Sequence, residues 1–188
     1  MPQYVPIDTD DDLDAINDML GAIGEPSVLQ LDDTNADVSN AHRILHRINR
    51  QVQAKGWNFN IDEAKVLIPS LDTRQIIWLP AYLKMVTTGS ASAYSNRGGY
   101  VYDLVLRTDL FDAPITVELI EMKQFYEMPV VFRDYIVTKA SREFNAKFFG
   151  SPESENYLRE QEQELYQQVM EYEMDTGRYN MMSDIGRD

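Results

Sequence analysis

The spacing of apolar residues changes twice along this chain, and that change constrains the fold more than any single motif does. Near both ends, apolar side chains recur every three or four residues, which is typical of amphipathic helices. Between these regions, short apolar runs are separated by proline and glycine, which is typical of strands and turns. The order predicts two helices, a β insertion and two further helices within 188 residues.

Two helices are predicted before Gly56, and two more between Pro129 and about residue 174. Gly150 separates the last two, and Ser151 is the predicted N-cap of the fourth. Each helix has one apolar stripe to bury. In chain order the stripes are Leu13, Ile16, Leu20 and Ile23; Ala41, Ile44, Leu45, Ile48 and Val52; Phe132, Ile136, Ala140, Phe144 and Phe148; and Leu158, Leu165, Val169 and Tyr172.

The β insertion is predicted to begin with an alternating strand over residues 57–61, in which Trp57, Phe59 and Ile61 are apolar. Gly98-Gly99 is the predicted tight turn of a hairpin, because glycine accepts positive φ without steric cost. The fold class is therefore α+β, a helical bundle of about four helices with a small antiparallel β unit. One domain over 1–188 is predicted, with helical parts 1–56 and 129–176, β insertion 57–128 and C-terminal tail 177–188. The other predicted strands are residues 66–68, 76–79, 82–86, 100–106 and 115–120.

Charge is unevenly distributed along the chain, whose formal net charge is −14. Residues 1–42 contain ten acids and no lysine or arginine, residues 43–150 carry a net +3, and residues 151–188 carry a net −7. Such an excess of negative charge argues against conventional nucleic-acid binding. Three interpretations stay open, namely a soluble protein that simply has acidic ends, acidic ends that meet basic neighbours and acidic ends that line a passage for DNA.

Several classes of protein are disfavoured by composition. There is no cysteine, so thiol catalysis and Cys-based zinc sites are excluded. No apolar run reaches the roughly 20 residues of a membrane helix, and the N-terminus does not resemble a signal peptide. His42 and His46 lie four apart, but Arg43 occupies the position of the glutamate in a His-Glu-x-x-His site. We therefore predict surface or interface histidines with no bound metal, and we expect no cofactor.

The central sequence block is Asn96-Arg97-Gly98-Gly99-Tyr100-Val101-Tyr102-Asp103. Other blocks flank it in a fixed order, and they are IGEP at 23–26, INRQ at 48–51, GWNFNI at 56–61, VTKASR at 137–142, FFGSPE at 148–153 and MEYEMD at 170–175. Together they resemble the tail tubular protein A family of short-tailed bacteriophages. The resemblance is specific because it extends over nearly the whole chain, whereas each block alone is short.

The resemblance implies a structural virion protein that is not an enzyme. Members of that family form a ring of twelve copies between the portal protein and the tail nozzle protein, tail tubular protein B. Tail fibres attach around this junction, and genomic DNA passes through the ring during ejection. The expected location is the virion tail, assembled in the host cytoplasm, without membrane insertion. The alternative is a virion-associated hydrolase of cell-wall peptidoglycan, which would need a pocket with a perturbed carboxylate.

Three groups of residues are candidates for contacts in such an assembly. Two basic helix faces are candidates for the subunit interface, the C-terminal tail for partner binding, and the glycine turn for a further contact. The basic residues are Arg43, Arg47, Arg50, Lys139, Arg142 and Lys147; the tail residues are Tyr172, Tyr179, Met181 and Met182; and the turn residues are Arg97, Gly98, Gly99 and Tyr100.

Overall fold

A computed structural model of the protein describes residues 9–32, 34–87 and 94–184. This part of the chain contains four α-helices and five β-strands, so the predicted α+β class is confirmed. The helices are α1 (Thr9–Gly21), α2 (Ala36–Gln53), α3 (Val130–Phe144) and α4 (Pro152–Asp184). The strands are β1 (Ile61–Leu67), β2 (Tyr82–Thr87), β3 (Tyr94–Arg97), β4 (Tyr100–Asp103) and β5 (Ile115–Glu121).

The chain divides into two compact units. The helical unit consists of the described residues up to 52 together with those from 124 onward, and the β unit consists of residues 53–123. The helical unit is therefore assembled from two separate stretches of sequence.

The core of the helical unit is formed by the apolar stripes of α1, α2 and α3. Most of the predicted stripe residues are buried, because each amphipathic helix must cover its apolar face. The fully buried ones include Ile16, Ala41, Ile44, Leu45, Ile48, Phe132, Ile136, Ala140 and Phe144. On α4, Leu158 and Val169 are buried, whereas most of the helix is exposed. None of the described helices is both long and apolar enough to cross a membrane.

Side-chain caps fix where two of these helices begin. Asn35 Oδ1 accepts hydrogen bonds from the N–H groups of Asp37 at 3.0 Å and Val38 at 3.3 Å, ahead of α2. Ser151 Oγ accepts one from Ser154 N at 3.3 Å, so the predicted N-cap of α4 is confirmed. Both caps satisfy N–H groups that have no partner within the helix.

Two predictions about the later helices are wrong. Phe148 is 43% exposed, because residues Asn145–Phe149 form a π-helical turn that shifts the four-residue period after Phe144. Helix α4 does not end near residue 174 but continues to Asp184. This extension contains Gly177 but no proline, and an internal glycine costs a helix only about 1 kcal/mol.

The β unit contains a three-stranded antiparallel sheet with strand order β1-β5-β2. Strand β5 is central, and Val117 and Leu119 lie on its buried face. The described strands β3 and β4 form a separate hairpin in register, with Arg97 opposite Tyr100. The core of this unit is Leu67, Ile76, Tyr82, Met85, Val101, Phe111, Val117 and Leu119.

Three predicted strand segments differ from the structure. Residues 57–60 form a turn, because Asn60 Oδ1 accepts a hydrogen bond from Trp57 N at 2.8 Å and holds the chain back on itself. Residues 76–79 form only one bridge, between Ile77 and Tyr100. The predicted strand over 100–106 ends at Asp103, whose Oδ1 accepts hydrogen bonds from Val105 N and Leu106 N, each at 2.8 Å.

One buried glutamine joins the two ends of the β unit. Gln53 Nε2 donates to Lys123 O at 3.0 Å, and Lys123 N donates to Gln53 Oε1 at 2.7 Å. Asn60 Nδ2 also donates to Gln53 O at 3.0 Å. Gln53 is 0% exposed, so these bonds form away from water, where an unsatisfied amide would be costly. The first and last residues of the β unit are thereby tied together, and we call this pair the Gln53–Lys123 clasp.

Replacing Gly56 with alanine is expected to destabilise the β unit by about 2–4 kcal/mol. The position has a φ of +81°, and an added Cβ would lie 2.7 Å from Ile120 Cδ1 and 3.5 Å from Ile61 Cδ1. Ile120 is buried, so its side chain would have to shift within a packed core. Urea unfolding followed by tryptophan fluorescence measures this, because both tryptophans, Trp57 and Trp78, belong to the β unit.

The matched control is Gly99→Ala, which has a similar φ of +87° but nothing within 4 Å of the added Cβ. It is expected to cost only the backbone strain, about 1–2 kcal/mol. Equal losses in the two variants would show that the contact with Ile120 does not matter.

Candidate assembly surfaces

Two basic residues of α3, Lys139 and Arg142, are paired with acidic residues of α4 in the same chain. Arg142 Nε donates to Glu155 Oε1 at 2.7 Å, and Arg142 Nη1 donates to Glu162 Oε2 at 2.8 Å. Lys139 Nζ pairs with the other oxygen of Glu162 and lies 5.5 Å from the ring centroid of Tyr135. Two cations therefore share one carboxylate, and part of the acidic C-terminal segment is neutralised within the chain.

This arrangement shifts the protonation equilibria of its members. Burial raises the pKa of Glu162, but the hydrogen bonds from Lys139 and Arg142 outweigh it, so that the net pKa is lowered. For Lys139, burial is the largest single effect and lowers the pKa, but the hydrogen bond to Glu162 and the nearby Tyr135 together raise the net pKa. Both shifts favour the charged forms, as expected for an ion pair that is partly shielded from water.

A second group of charges joins α2 to the end of α3. Glu143 forms ion pairs with Arg47 and with Lys147. The hydrogen bond from Arg47 is the largest of the effects that lower the pKa of Glu143. A cavity of about 220 Å³ lies beside both groups, and its lining includes Ile48, Ala146, Glu143 and Glu162. The pKa of each of these two acids is lowered, which is the opposite of what a general acid requires.

Two basic residues of α2 lie on the exposed surface. Arg43 is exposed, and its Nη2 donates to Asn40 Oδ1 one turn earlier at 3.2 Å. Arg50 is also exposed, in the last turn of the helix. Arg47 is half-buried and pairs with Glu143. Among the predicted interface residues, Arg43 and Arg50 are thus the most accessible on α2.

The glycine turn connects β3 and β4 as predicted. Gly98 and Gly99 have φ of +60° and +87°, the positive values that a two-residue hairpin turn of type I′ needs. Asn96 Oδ1 accepts a hydrogen bond from Gly99 N at 3.0 Å, and Gly99 O accepts one from Trp78 N at 2.8 Å. The Arg97 guanidinium lies 3.7 Å from the ring centroid of Tyr102. The turn is therefore held on both sides, and Arg97 and Tyr100 remain exposed beside it.

The two histidines meet a buried carboxylate in the helical unit. His46 Nε2 lies 2.9 Å from His42 Nε2 and 3.9 Å from Asp12 Oδ2 of α1. Burial lowers the pKa of His46, nearby His42 lowers it further, and Asp12 opposes the shift. The net lowered pKa favours neutral imidazole at pH 7, the form that can bind a metal ion. Sequence reasoning missed Asp12, although the four-residue histidine spacing and the acidic start of α1 were both visible.

Comparison with known proteins decides the family. Residues 13–179 match the family described as tail tubular protein, and this match covers most of the chain. The chain belongs to the tail tubular protein family. Tail tubular protein A of Klebsiella phage KP34 is 30% identical over 118 residues, which are 63% of this chain and 62% of that relative. The alignment therefore spans less than two thirds of the relative's length.

The family membership makes this a structural protein of a bacteriophage tail. It confirms the resemblance inferred from the sequence blocks. Family membership does not test the formation of a ring, the identity of its partners or the contacts of individual residues. These stay predictions.

The predicted tail residues lie on α4. The Tyr172 ring packs edge-on against Phe132 of α3, with ring centroids 6.0 Å apart, and Tyr172 is 37% exposed. Tyr179, Met181 and Met182 belong to the helical backbone, but their side chains lie outside the described part of the structure. The role of these four residues in binding a partner stays a prediction.

Replacing Glu162 with glutamine is expected to destabilise the helical unit by about 1–2 kcal/mol at pH 7. The estimate is below that of a fully buried pair, because the side chains of Lys139 and Arg142 are about one third exposed. Thermal unfolding followed by far-ultraviolet circular dichroism measures the loss. Glu164→Gln, at an exposed position of the same helix, is the matched control and should change stability little.

The loss should depend on pH in one direction. Because the pKa of Glu162 is lowered in the folded state, its stabilisation is present above the ordinary value of 4.5 and disappears as pH falls through the folded value. The wild-type protein and Glu162→Gln should therefore converge in stability in acid. A difference that stays constant down to the acid limit would contradict this ion-pair account.

Proposed function

We propose that this chain forms the adaptor ring between the portal protein and the tail nozzle, to which tail fibres attach and through which the genome leaves. The observation that carries the proposal is the family match over residues 13–179. The number of copies expected from the resemblance is twelve. We do not propose peptidoglycan hydrolysis, since two of the three acids that line the described cavity, Glu143 and Glu162, have lowered pKa values. Burial raises the pKa of Asp18, but this residue does not line that cavity.

A cyclic ring needs two different surfaces on every copy, because each copy meets its neighbours head to tail. The exposed arginines of α2 supply one candidate, with the acidic outer face of α4 in the next copy as its complement. Many acids of α4, including Glu153, Glu160 and Glu164, are exposed. Such exposed pairs contribute only about 0–1 kcal/mol each, so they determine register and approach more than affinity.

The β unit supplies the apolar contact area that charged pairs cannot. Several of its large apolar side chains are exposed to water, which is costly in a protein that works alone. We propose that a neighbouring copy of the chain covers them in the ring. They are Ile68 (73% exposed), Leu71 (98%), Ile77 (62%), Leu104 (45%), Val105 (58%) and Leu106 (73%).

The passage for the genome is proposed to be acidic or neutral. Each copy carries a formal charge of −14, so a passage lined mainly by bases would need unusual segregation of the few cations present. Several of those cations, including Lys139, Arg142 and Arg47, are already engaged by acids within the chain. A passage of this kind would let DNA slide, since each phosphate contact with lysine or arginine strengthens retention.

Mixing the purified chain with portal protein tests the proposal directly. Mass photometry and electron microscopy should show one ring of about twelve copies on each portal, and this complex should then accept the nozzle protein. The assembled rings should not retain double-stranded DNA near physiological salt. A chain that binds neither portal nor nozzle, or that releases soluble fragments from peptidoglycan, would contradict the adaptor function.

Reversing one charge on α2 tests the ring contact. Arg43→Glu should weaken assembly by up to about fivefold at low salt, with a smaller effect at 0.5 M salt, where the exposed charges are screened. Arg43 is preferable to Arg47, whose reversal would also break the pair with Glu143 inside the chain. Analytical ultracentrifugation as a function of concentration and salt measures the change.

The matched control is Arg159→Glu. Arg159 is exposed on α4 and donates to Asn156 Oδ1 one turn earlier at 3.1 Å, which repeats the geometry of Arg43 and Asn40. Its reversal changes the charge of the chain by the same amount without touching α2, and because it makes the proposed acidic partner face more acidic, it should not weaken assembly. Equal effects of the two reversals would assign the change to net charge alone.

A further inference from the structure

We propose that Asp12, His42 and His46 form a binding site for a divalent transition-metal ion, and that Zn²⁺ is the ion it fits best. The proposal is independent of the ring, since the three residues belong to the helical unit of a single chain. The ion would fasten α1 to α2.

The first two ligands are positioned by helix geometry. Residues four apart lie one turn above each other on the same face of a helix, so the imidazoles of His42 and His46 meet. Their ring centroids are 4.3 Å apart, with an angle of 88° between the ring planes, and the two Nε2 atoms are 2.9 Å apart. In the absence of an ion, one of these nitrogens must donate a proton to the other. An ion between them would replace that proton.

The third ligand comes from a different helix. Asp12 of α1 brings Oδ2 to 3.9 Å from His46 Nε2, and one ligand atom from each of the three residues lies within 4.8 Å of the other two. In a tetrahedral zinc site with bonds of about 2.0–2.1 Å, neighbouring ligand atoms are about 3.3 Å apart. The histidine nitrogens would separate by roughly 0.4 Å. The carboxylate oxygen would move roughly 0.6 Å closer to His46 Nε2 and at most about 1.5 Å closer to the His42 nitrogen, which side-chain rotations can provide.

Burial and ligand chemistry agree with a cation at this point. Asp12 is only 3% exposed, and a carboxylate removed from water is stabilised most effectively by a nearby positive charge. Two imidazole nitrogens and one carboxylate oxygen suit Zn²⁺ and similar ions, whereas Mg²⁺ and Ca²⁺ prefer sites made of oxygen alone.

The surroundings leave the site accessible. The side chain of His46 is 39% exposed, so the fourth coordination position can face solvent and be filled by water. The cation nearest in sequence, Arg43, is directed to Asn40 on the exposed surface of α2.

The test uses the untagged full-length chain after treatment with a chelator. Titration with ZnCl₂ in a calorimeter should show one ion per chain, and MgCl₂ should show no binding. At about 100 times the dissociation constant, Zn²⁺ should raise the midpoint of thermal unfolding by roughly 5–10 °C. Co²⁺ should give the visible absorption of a four-coordinate site. No heat and no change in the midpoint with Zn²⁺ would overturn the proposal.

Variants locate the site. His42→Gln, His46→Gln and Asp12→Asn should each weaken Zn²⁺ binding about 100-fold or more, since even the loss of a second-shell group costs roughly 10- to 100-fold. Asp14→Asn, at an exposed position of α1, is the matched control and should bind like the wild type. The two histidine variants keep the test valid if Asp12→Asn folds poorly, because both histidines are only half-buried. Wild-type affinity in both histidine variants would assign the ion to another place and overturn the proposal.

Discussion

The Gln53–Lys123 clasp is the interaction on which the β unit depends. The side-chain amide of Gln53 forms hydrogen bonds with both the N–H and the carbonyl of Lys123. Gln53 is fully buried, so water cannot replace these hydrogen bonds. An apolar side chain of similar size would fill the space but leave two backbone groups unsatisfied, at about 1–3 kcal/mol each. Asn60 extends the same network by bonding Gln53 O and Trp57 N. The buried amides of Gln53 and Asn60 thus hold the first and last residues of the β unit together.

The helical unit relies on a different balance, in which charge supplements a narrow apolar stripe. Few side chains of α4 are buried, yet this helix packs along α3. Lys139 and Arg142 bind Glu155 and Glu162 in the gap between these helices. The segregation of charge along the sequence therefore stabilises the packing of helices within one chain. The basic middle region neutralises part of the acidic C-terminal region within one chain.

Much of the fold could be predicted from sequence, because it is determined locally. The stripes of α2 and α3 and the Gly98-Gly99 hairpin follow from period and from the φ preference of glycine. The turn at residues 57–60 could not be predicted, since it depends on Asn60 reaching backbone groups instead of continuing the alternation. Phe148 was misplaced because a π-helical turn has no signature in apolar spacing.

The candidate sites were less predictable than the fold. The sequence correctly placed the basic residues on the faces of helices. It could not show which of them form ion pairs with acids of the same chain. Whether Arg142 faces Glu162 depends on how α3 and α4 pack against each other. The apolar spacing within each helix does not determine that packing. The same holds for Asp12, which lies thirty residues before His42 and meets it only in the folded unit.

The division of the helical unit into two stretches has a consequence for synthesis. Residues 53–123 leave the ribosome before α3 exists, so the β unit can close its clasp first. During that time the stripes of α1 and α2, including Ile16 and Ile44, have no α3 to cover them. Adding these residues takes about 4–14 s at roughly 5–20 residues per second. The N-terminal helices are therefore the segment of the nascent chain that chaperones would need to shield from aggregation.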